Sequence, residues 1–246
     1  MTDQLLTHEQ ARHYRLQGYY RLPQVFSEEE TSELKDFIDS EVEKEQLKRA
    51  GELGSAAVKL YGLYDRNTEL MDRTIRKQKL INALSSILGP NIVFVKNRHN
   101  HATVNNHAGE PLEGLHRDIL QPTRGLVTAA IYLQDSTLKN GATRIIPGSH
   151  ELPYVGVPQA DGGGTWMSDH AEYDGMEDQA ISVPIPKGGV LLFNGLTFHG
   201  LGSNYSGESR ISMTLGFRSE DELDAQPDES RQVIVAGQHI YRGNDR

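Results

Sequence analysis

The hydrophobic pattern of this chain changes period once, at Gly89-Pro90, and that change limits the folds open to it. Ahead of the pair, Leu34, Phe37, Ile38 and Val42 recur at helical spacing behind Ser27-Glu28-Glu29-Glu30. That tetrad fits a capping box, in which the hydroxyl and the residue three later satisfy each other's orphan amides. Thr7-His8-Glu9-Gln10 has the same form and opens an earlier helix, while residues 18–23, closed by Pro23, suggest a short strand. A third helix is expected from about Glu69 to Leu88, with Met71, Ile75, Leu84, Ile87 and Leu88 apolar and Gly89-Pro90 ending it. Residues 48–58 lose periodicity and carry Gly51, Gly54 and Ser55, so they read as a loop.

Beyond Gly89-Pro90 the apolar runs are short and separated by Gly and Pro turns: 92–95, 126–133, 144–146, 181–185, 190–193 and 211–217. Many short strands behind a helical preface imply a mainly β fold with helices (α+β), a sandwich or jelly roll covered by the N-terminal helices. A chain of 246 residues is compatible with one such domain. We divide it into a helical part over about 1–90, a β core over about 91–218 and a C-terminal tail over 219–246.

Composition narrows the function more than the fold. The formal net charge of -9 disfavours nucleic acid, whose phosphates want a basic face. Much of it sits in Glu220, Asp221, Glu222, Asp224, Asp228 and Glu229, which reads as a solvated loop. No apolar run approaches the roughly 20 residues needed to span a bilayer, and Met1-Thr2-Asp3-Gln4 begins no signal peptide, so a cytoplasmic setting without membrane partners is expected. With no cysteine, any metal must be held by His, Asp or Glu.

Leu115-His116-Arg117-Asp118 offers two such ligands. On a strand, period-2 alternation would point His116 and Asp118 to one face and Arg117 to the other. His199 follows the apolar run 190–193 and supplies a third. Two imidazoles and a carboxylate on one face of a metal leave the other face open, the arrangement suited to non-haem Fe(II). Arg210 comes eleven residues after His199, on a run with strand character.

In this order the motifs resemble the phytanoyl-CoA dioxygenase family of Fe(II)/2-oxoglutarate-dependent oxygenases. The resemblance spans roughly residues 7–217. It includes Ala130-Ile131-Tyr132-Leu133, Asn140-Gly141, Ile146-Pro147-Gly148-Ser149-His150, and the series His199, Asn204, Ser206, Arg210. It implies a double-stranded β-helix (cupin-like), with His116, Asp118 and His199 as metal ligands. It also implies Arg210 as the bidentate partner of the distal carboxylate of 2-oxoglutarate. The expected reaction consumes O2 and 2-oxoglutarate, releases succinate and CO2, and hydroxylates a small molecule, with ring formation or desaturation as other outcomes. Ascorbate is expected to stimulate it. The retained Asp118 argues for oxygenation, since related halogenases lack that carboxylate.

Two positions depart from the family. Leu201 stands where a serine commonly helps hold the cosubstrate, and Leu115 replaces a frequent aromatic. A second cosubstrate anchor must come from elsewhere, with Lys96, Asn97 and Thr128 as candidates. The long insertion 156–179, with Gly162-Gly163-Gly164 and the only tryptophan, suits a flap that would bring Trp166 and His170 to substrate. Arg144 and Arg124 face substrate or solvent, His150 reads as a structural residue, and His99, His101 and His107 read as polar strand ends or substrate contacts rather than as a separate metal cluster. The acidic insertion leans toward a polar secondary metabolite such as an amino-sugar compound in antibiotic biosynthesis. Two other functions stay open. A non-catalytic β-helix binding protein would not turn over 2-oxoglutarate, and a zinc hydrolase would give Arg210 no role.

Overall fold

A computed structural model describes residues 5–48, 57–105, 114–120, 125–153, 165–222 and 228–239. Five helices precede the β region: α1 (His8–Gln17), α2 (Glu28–Lys48), α3 (Leu63–Arg66), α4 (Thr68–Ile75) and α5 (Gln78–Leu88). Both capping boxes form. Thr7 and Gln10 exchange hydrogen bonds with each other's backbone amides, as do Ser27 and Glu30.

The single helix expected over 69–88 is broken at Arg76-Lys77. The first half buries Met71 and Ile75, the second Leu80 and Leu84. Five residues separate Ile75 from Leu80, about 140° off the stripe of a continuous helix at 3.6 residues per turn. Breaking the helix returns both stripes to one sheet, and Lys77 at the break pairs with Glu30 of α2 at 2.5 Å.

The strands are β1 (Tyr19–Leu22), β2 (Ala57–Tyr61), β3 (Ile92–Val95), β4 (Asn100–Asn105), β5 (Val127–Tyr132), β6 (Arg144–Ile145), β7 (Ile181–Ser182), β8 (Val190–Asn194), β9 (His199–Gly200), β10 (Arg210–Ser219) and β11 (Gln232–Ala236). The larger sheet runs β1-β8-β5-β10-β3-β11, with β4 on β10 and β2 on β4; the smaller is β7-β6-β9. Together they make the double-stranded β-helix. Several strands differ from those expected. β2 begins in the last two residues of the loop expected over 48–58 and runs on to Tyr61, β4 carries too many polar residues to read as a strand, and β11 draws part of the tail into the sheet beside β3. The strand expected over 181–185 shortens to two residues ahead of Pro184, whose ring nitrogen cannot donate to a ladder.

Alternation along β10 sorts the two faces. Ile211, Met213, Leu215 and Phe217 join Leu34, Ile38, Met71, Ile75, Leu80, Leu84, Phe94, Ile131 and Leu192 in the main core beneath the helices. Arg210, Ser212 and Thr214 therefore face the space between the sheets, as do Ala130 and Tyr132 of β5. A smaller core of Leu115, Ile146, Met167, Tyr173 and Phe198 holds residues 165–180, which run as short 3-10 turns. Among the described residues no helix is long and apolar enough to cross a membrane.

Candidate metal and cosubstrate site

Between the sheets lies a cavity of about 110 Å3, with His116, Asp118 and His199 on its wall. Ligand atoms of these three all lie within 4.8 Å of one another, the only such group of three among the described residues. Asp118 Oδ1 is 3.4 Å from His199 Nε2 and 3.9 Å from His116 Nε2. Instead of the full strand expected around His116, a single bridge joins it to His199 on one side and Trp166 on the other, with Asp118 in a bend.

Hydrogen bonds fix two of the three side chains. Thr128 on β5 donates to Asp118 Oδ2 at 2.8 Å, leaving Oδ1 toward the imidazoles. His199 Nδ1 lies 2.9 Å from the Thr197 carbonyl. A carbonyl can only accept, so this bond puts the proton on Nδ1 and leaves Nε2 as the lone-pair nitrogen. Thr197 in turn donates to the Gly18 carbonyl, where α1 ends with φ +76°. A Cβ at Gly18 would stand 2.5 Å from His150 Nδ1 and 2.6 Å from Thr197 Oγ1, so glycine is needed for this approach. His150 Nε2 meets the Arg15 carbonyl at 2.9 Å, the structural part expected of it.

Burial alone would raise the Asp118 carboxyl, but the His199 and His99 imidazoles, in their protonated forms, outweigh it and hold the group well below the usual carboxylate range. His99 belongs to no separate metal cluster among the described residues. Its Nε2 instead sits 3.1 Å from Asp118 Oδ1, at a backbone φ of +51°. His101 lies on the same cavity wall, and burial, with His99 and Lys59 adding to it against Asp118, pushes it down to about 3. His107 lies outside the described residues, as does Arg124.

Arg210 is fully buried, its guanidinium 5.5 Å from the Tyr132 ring centroid, and its three nitrogens have no hydrogen-bond partner among the described residues. Burial lowers its pKa, with Tyr132 opposing. A buried guanidinium without a carboxylate costs on the order of several kcal/mol, and an anionic ligand at this end would remove that cost. Tyr132, which meets this guanidinium, is on the cavity wall together with Thr143, Ser212 and Leu201, and the Tyr132 and Thr143 hydroxyls are 2.7 Å apart. The donor set and the orphaned cation thus fit iron(II) with a dicarboxylate cosubstrate.

Other expected anchors fall elsewhere. Lys96 lies over Tyr64 and 3.7 Å from Asp65, and Asn97 is exposed, so neither reaches the cavity. Thr128 is engaged by Asp118. Arg144 sits on β6, with Nη2 3.4 Å from the Glu177 carbonyl. His170 packs edge-on to Tyr173 and does not line the cavity. Trp166 is at the site, its ring 4.8 Å from that of His116 and 37% exposed. Lys59, which lines the cavity from β2, is not legible in the sequence, because it directly follows the aperiodic stretch 48–58 and falls in no expected strand. Ser212 and Thr214 were legible, since they share the parity of Arg210.

A family model for phytanoyl-CoA dioxygenase (PhyH) matches residues 14–212. A probable alpha-ketoglutarate-dependent hypophosphite dioxygenase of Stutzerimonas stutzeri is 26% identical over 237 residues, covering 87% of this chain and 79% of that protein. Among solved structures, the non-heme alpha ketoglutarate dependent epimerase SnoN from nogalamycin biosynthesis superposes with a TM-score of 0.66 at 18% identity. That match covers 96% of this chain and 98% of the other. HygX from Streptomyces hygroscopicus, with nickel and 2-oxoglutarate bound, gives a TM-score of 0.64 at 18% identity, over 89% and 90%.

Proposed function

The chain belongs to the phytanoyl-CoA dioxygenase family, and from that premise we propose how its site carries out Fe(II)- and 2-oxoglutarate-dependent oxidation of a small molecule in secondary metabolism. His116, Asp118 and His199 hold the metal, and Arg210 binds the distal carboxylate of 2-oxoglutarate. The observation that carries this reading is the convergence of three ligand atoms within 4.8 Å beside a buried guanidinium that has no carboxylate partner among the described residues.

When bound, iron and 2-oxoglutarate supply the oxidation, with O2 consumed and succinate and CO2 released. The chain's own residues position and exclude. Thr128 and the Thr197 carbonyl orient two ligands, so that little reorganisation is needed when the metal enters. Phe193 and Ala130 give the cavity an apolar wall that keeps water from the reacting centre. Leu201 stands in place of the family's serine, and the Tyr132 and Thr143 hydroxyls on the same cavity wall supply the polar contacts in its stead. Lys59 adds a cation at the wall that suits an anionic group on cosubstrate or substrate. Trp166 offers its exposed face to substrate beside His116.

A non-catalytic binding protein would have no use for the Arg210 cation. The test is succinate release on adding Fe(II), ascorbate, 2-oxoglutarate and a panel of polar metabolites. Substrate-stimulated succinate formation is expected for one of them. Failure of wild-type protein to bind 2-oxoglutarate in the presence of metal would overturn the reading.

A further inference from the structure

We propose that Arg117 is a positioning residue that couples occupation of the metal position to the packing of residues 165–180, while touching neither metal nor substrate. The inference rests on the metal-site reading above. Arg117 lies between two of the three ligands and projects from the opposite face of the 114–118 strip. It is 3% exposed. One terminal nitrogen, Nη2, donates to the carbonyls of Ser149 and Leu152, each at 3.0 Å. The guanidinium carbon lies 4.3 Å from the Phe198 ring centroid and 5.6 Å from that of Tyr173.

These contacts join three segments. Phe198 immediately precedes His199, and its amide donates to Ser149 Oγ at 2.8 Å. Tyr173 belongs to the 165–180 segment. That segment is also zipped to the ligand strip, with the Arg117 amide bonded to the Thr165 carbonyl at 2.9 Å and the Met167 amide to the Leu115 carbonyl at 2.8 Å. On its other edge the strip exchanges hydrogen bonds between His116 and His199 at 2.9 and 3.0 Å. Drawing His116 and Asp118 onto an ion therefore fixes the strip from which Arg117 projects. A planar fork suits this task, because it bonds carbonyls at its rim while presenting a face to two aromatic rings; an ammonium cannot do both. Linkage makes the effect reciprocal, so whatever loosens the segment weakens the metal.

The test is hydrogen exchange in residues 167–173 of the full-length protein, with and without saturating Ni(II) and no cosubstrate. Metal is expected to slow exchange there by about tenfold or more in the wild type, and to change the fluorescence of Trp166. Arg117→Met and Arg117→Lys are each expected to bind Ni(II) about tenfold more weakly and to lose both metal responses. Wild-type exchange that ignores metal overturns the inference however the variants fold. So does an Arg117→Met protein with normal Ni(II) affinity and normal metal-dependent protection. Both results leave the ligand assignment standing, whereas a wild type that binds no Ni(II) overturns the site reading and this inference with it.

Discussion

Thr128 Oγ1 donates to Asp118 Oδ2 at 2.8 Å, so a strand hydroxyl holds the carboxylate oxygen that points away from the imidazoles. This bond has a measurable consequence. Thr128→Val keeps the shape but leaves a buried carboxylate oxygen unsatisfied, a loss of about 1–3 kcal/mol. Metal affinity should fall about tenfold while the affinity for 2-oxoglutarate at saturating metal stays near wild type. Calorimetry with Ni(II) and then 2-oxoglutarate separates the two. A change confined to 2-oxoglutarate would return Thr128 to the cosubstrate.

Ligand removal gives the coarser test of the same site. His116→Ala, Asp118→Ala and His199→Ala should each abolish iron-dependent succinate formation and lower Ni(II) binding, with circular dichroism unchanged. Wild-type turnover in any of the three would refute that ligand.

Arg210 yields a prediction with opposite signs in two states. In the ligand-free protein, Arg210→Leu removes a buried cation without a carboxylate and should be neutral or stabilising, by about 1–4 kcal/mol. Saturating 2-oxoglutarate should raise the thermal midpoint of the wild type, worth about 2.7 kcal/mol at a hundred times Kd. It should leave the variant unmoved. Thermal melts of both proteins with Ni(II), with and without 2-oxoglutarate, check both signs, and a ligand-free variant that is strongly destabilised would contradict the account of an uncompensated charge.

The pH dependence of stability follows from His101. Its folded pKa, about 3, is depressed below the ordinary value of 6.5, so below that value the unfolded chain binds more protons than the folded one. Stability should therefore fall as pH drops from about 6.5 toward 3, by about 2 kcal/mol at pH 5 from this residue alone. Asp118, also depressed, contributes stability that is lost only as pH falls below 3.8, and so does not enter the upper part of this window. Denaturant unfolding at pH 7 and pH 5 measures the slope. His101→Gln, which cannot titrate, should flatten it.

The helical preface was legible because capping and periodicity are local. Ser27 and Glu30 announce a helix start whatever the chain does later. The break at Arg76-Lys77 was not, because it is set by which sheet residues Ile75 and Leu80 must both reach. β4 escaped notice for a related reason. Its Asn100, His101, Thr103 and Asn105 are polar, and only the neighbouring β10 and β2 make strand the favourable state for them. β2 escaped for a different reason: its Ala57 and Val58 close a glycine-rich stretch without periodicity, and with it the placement of Lys59 was lost.

The sequence by itself determined the candidate chemistry: a His-x-Asp pair, a distal histidine and an arginine eleven residues beyond it, in a chain without cysteine that turns from helix to strand at Gly89-Pro90. It did so because ligand identity, charge and side-chain period are properties of residues and their near neighbours. Tertiary structure alone decided that His99 belongs beside Asp118, that Thr128 serves the carboxylate, that Lys59 reaches the cavity and that Arg117 ties the ligand strip to residues 165–180. Each of those facts is a meeting of segments far apart in the chain, and the pairing of strands and the packing of the two cores fix it.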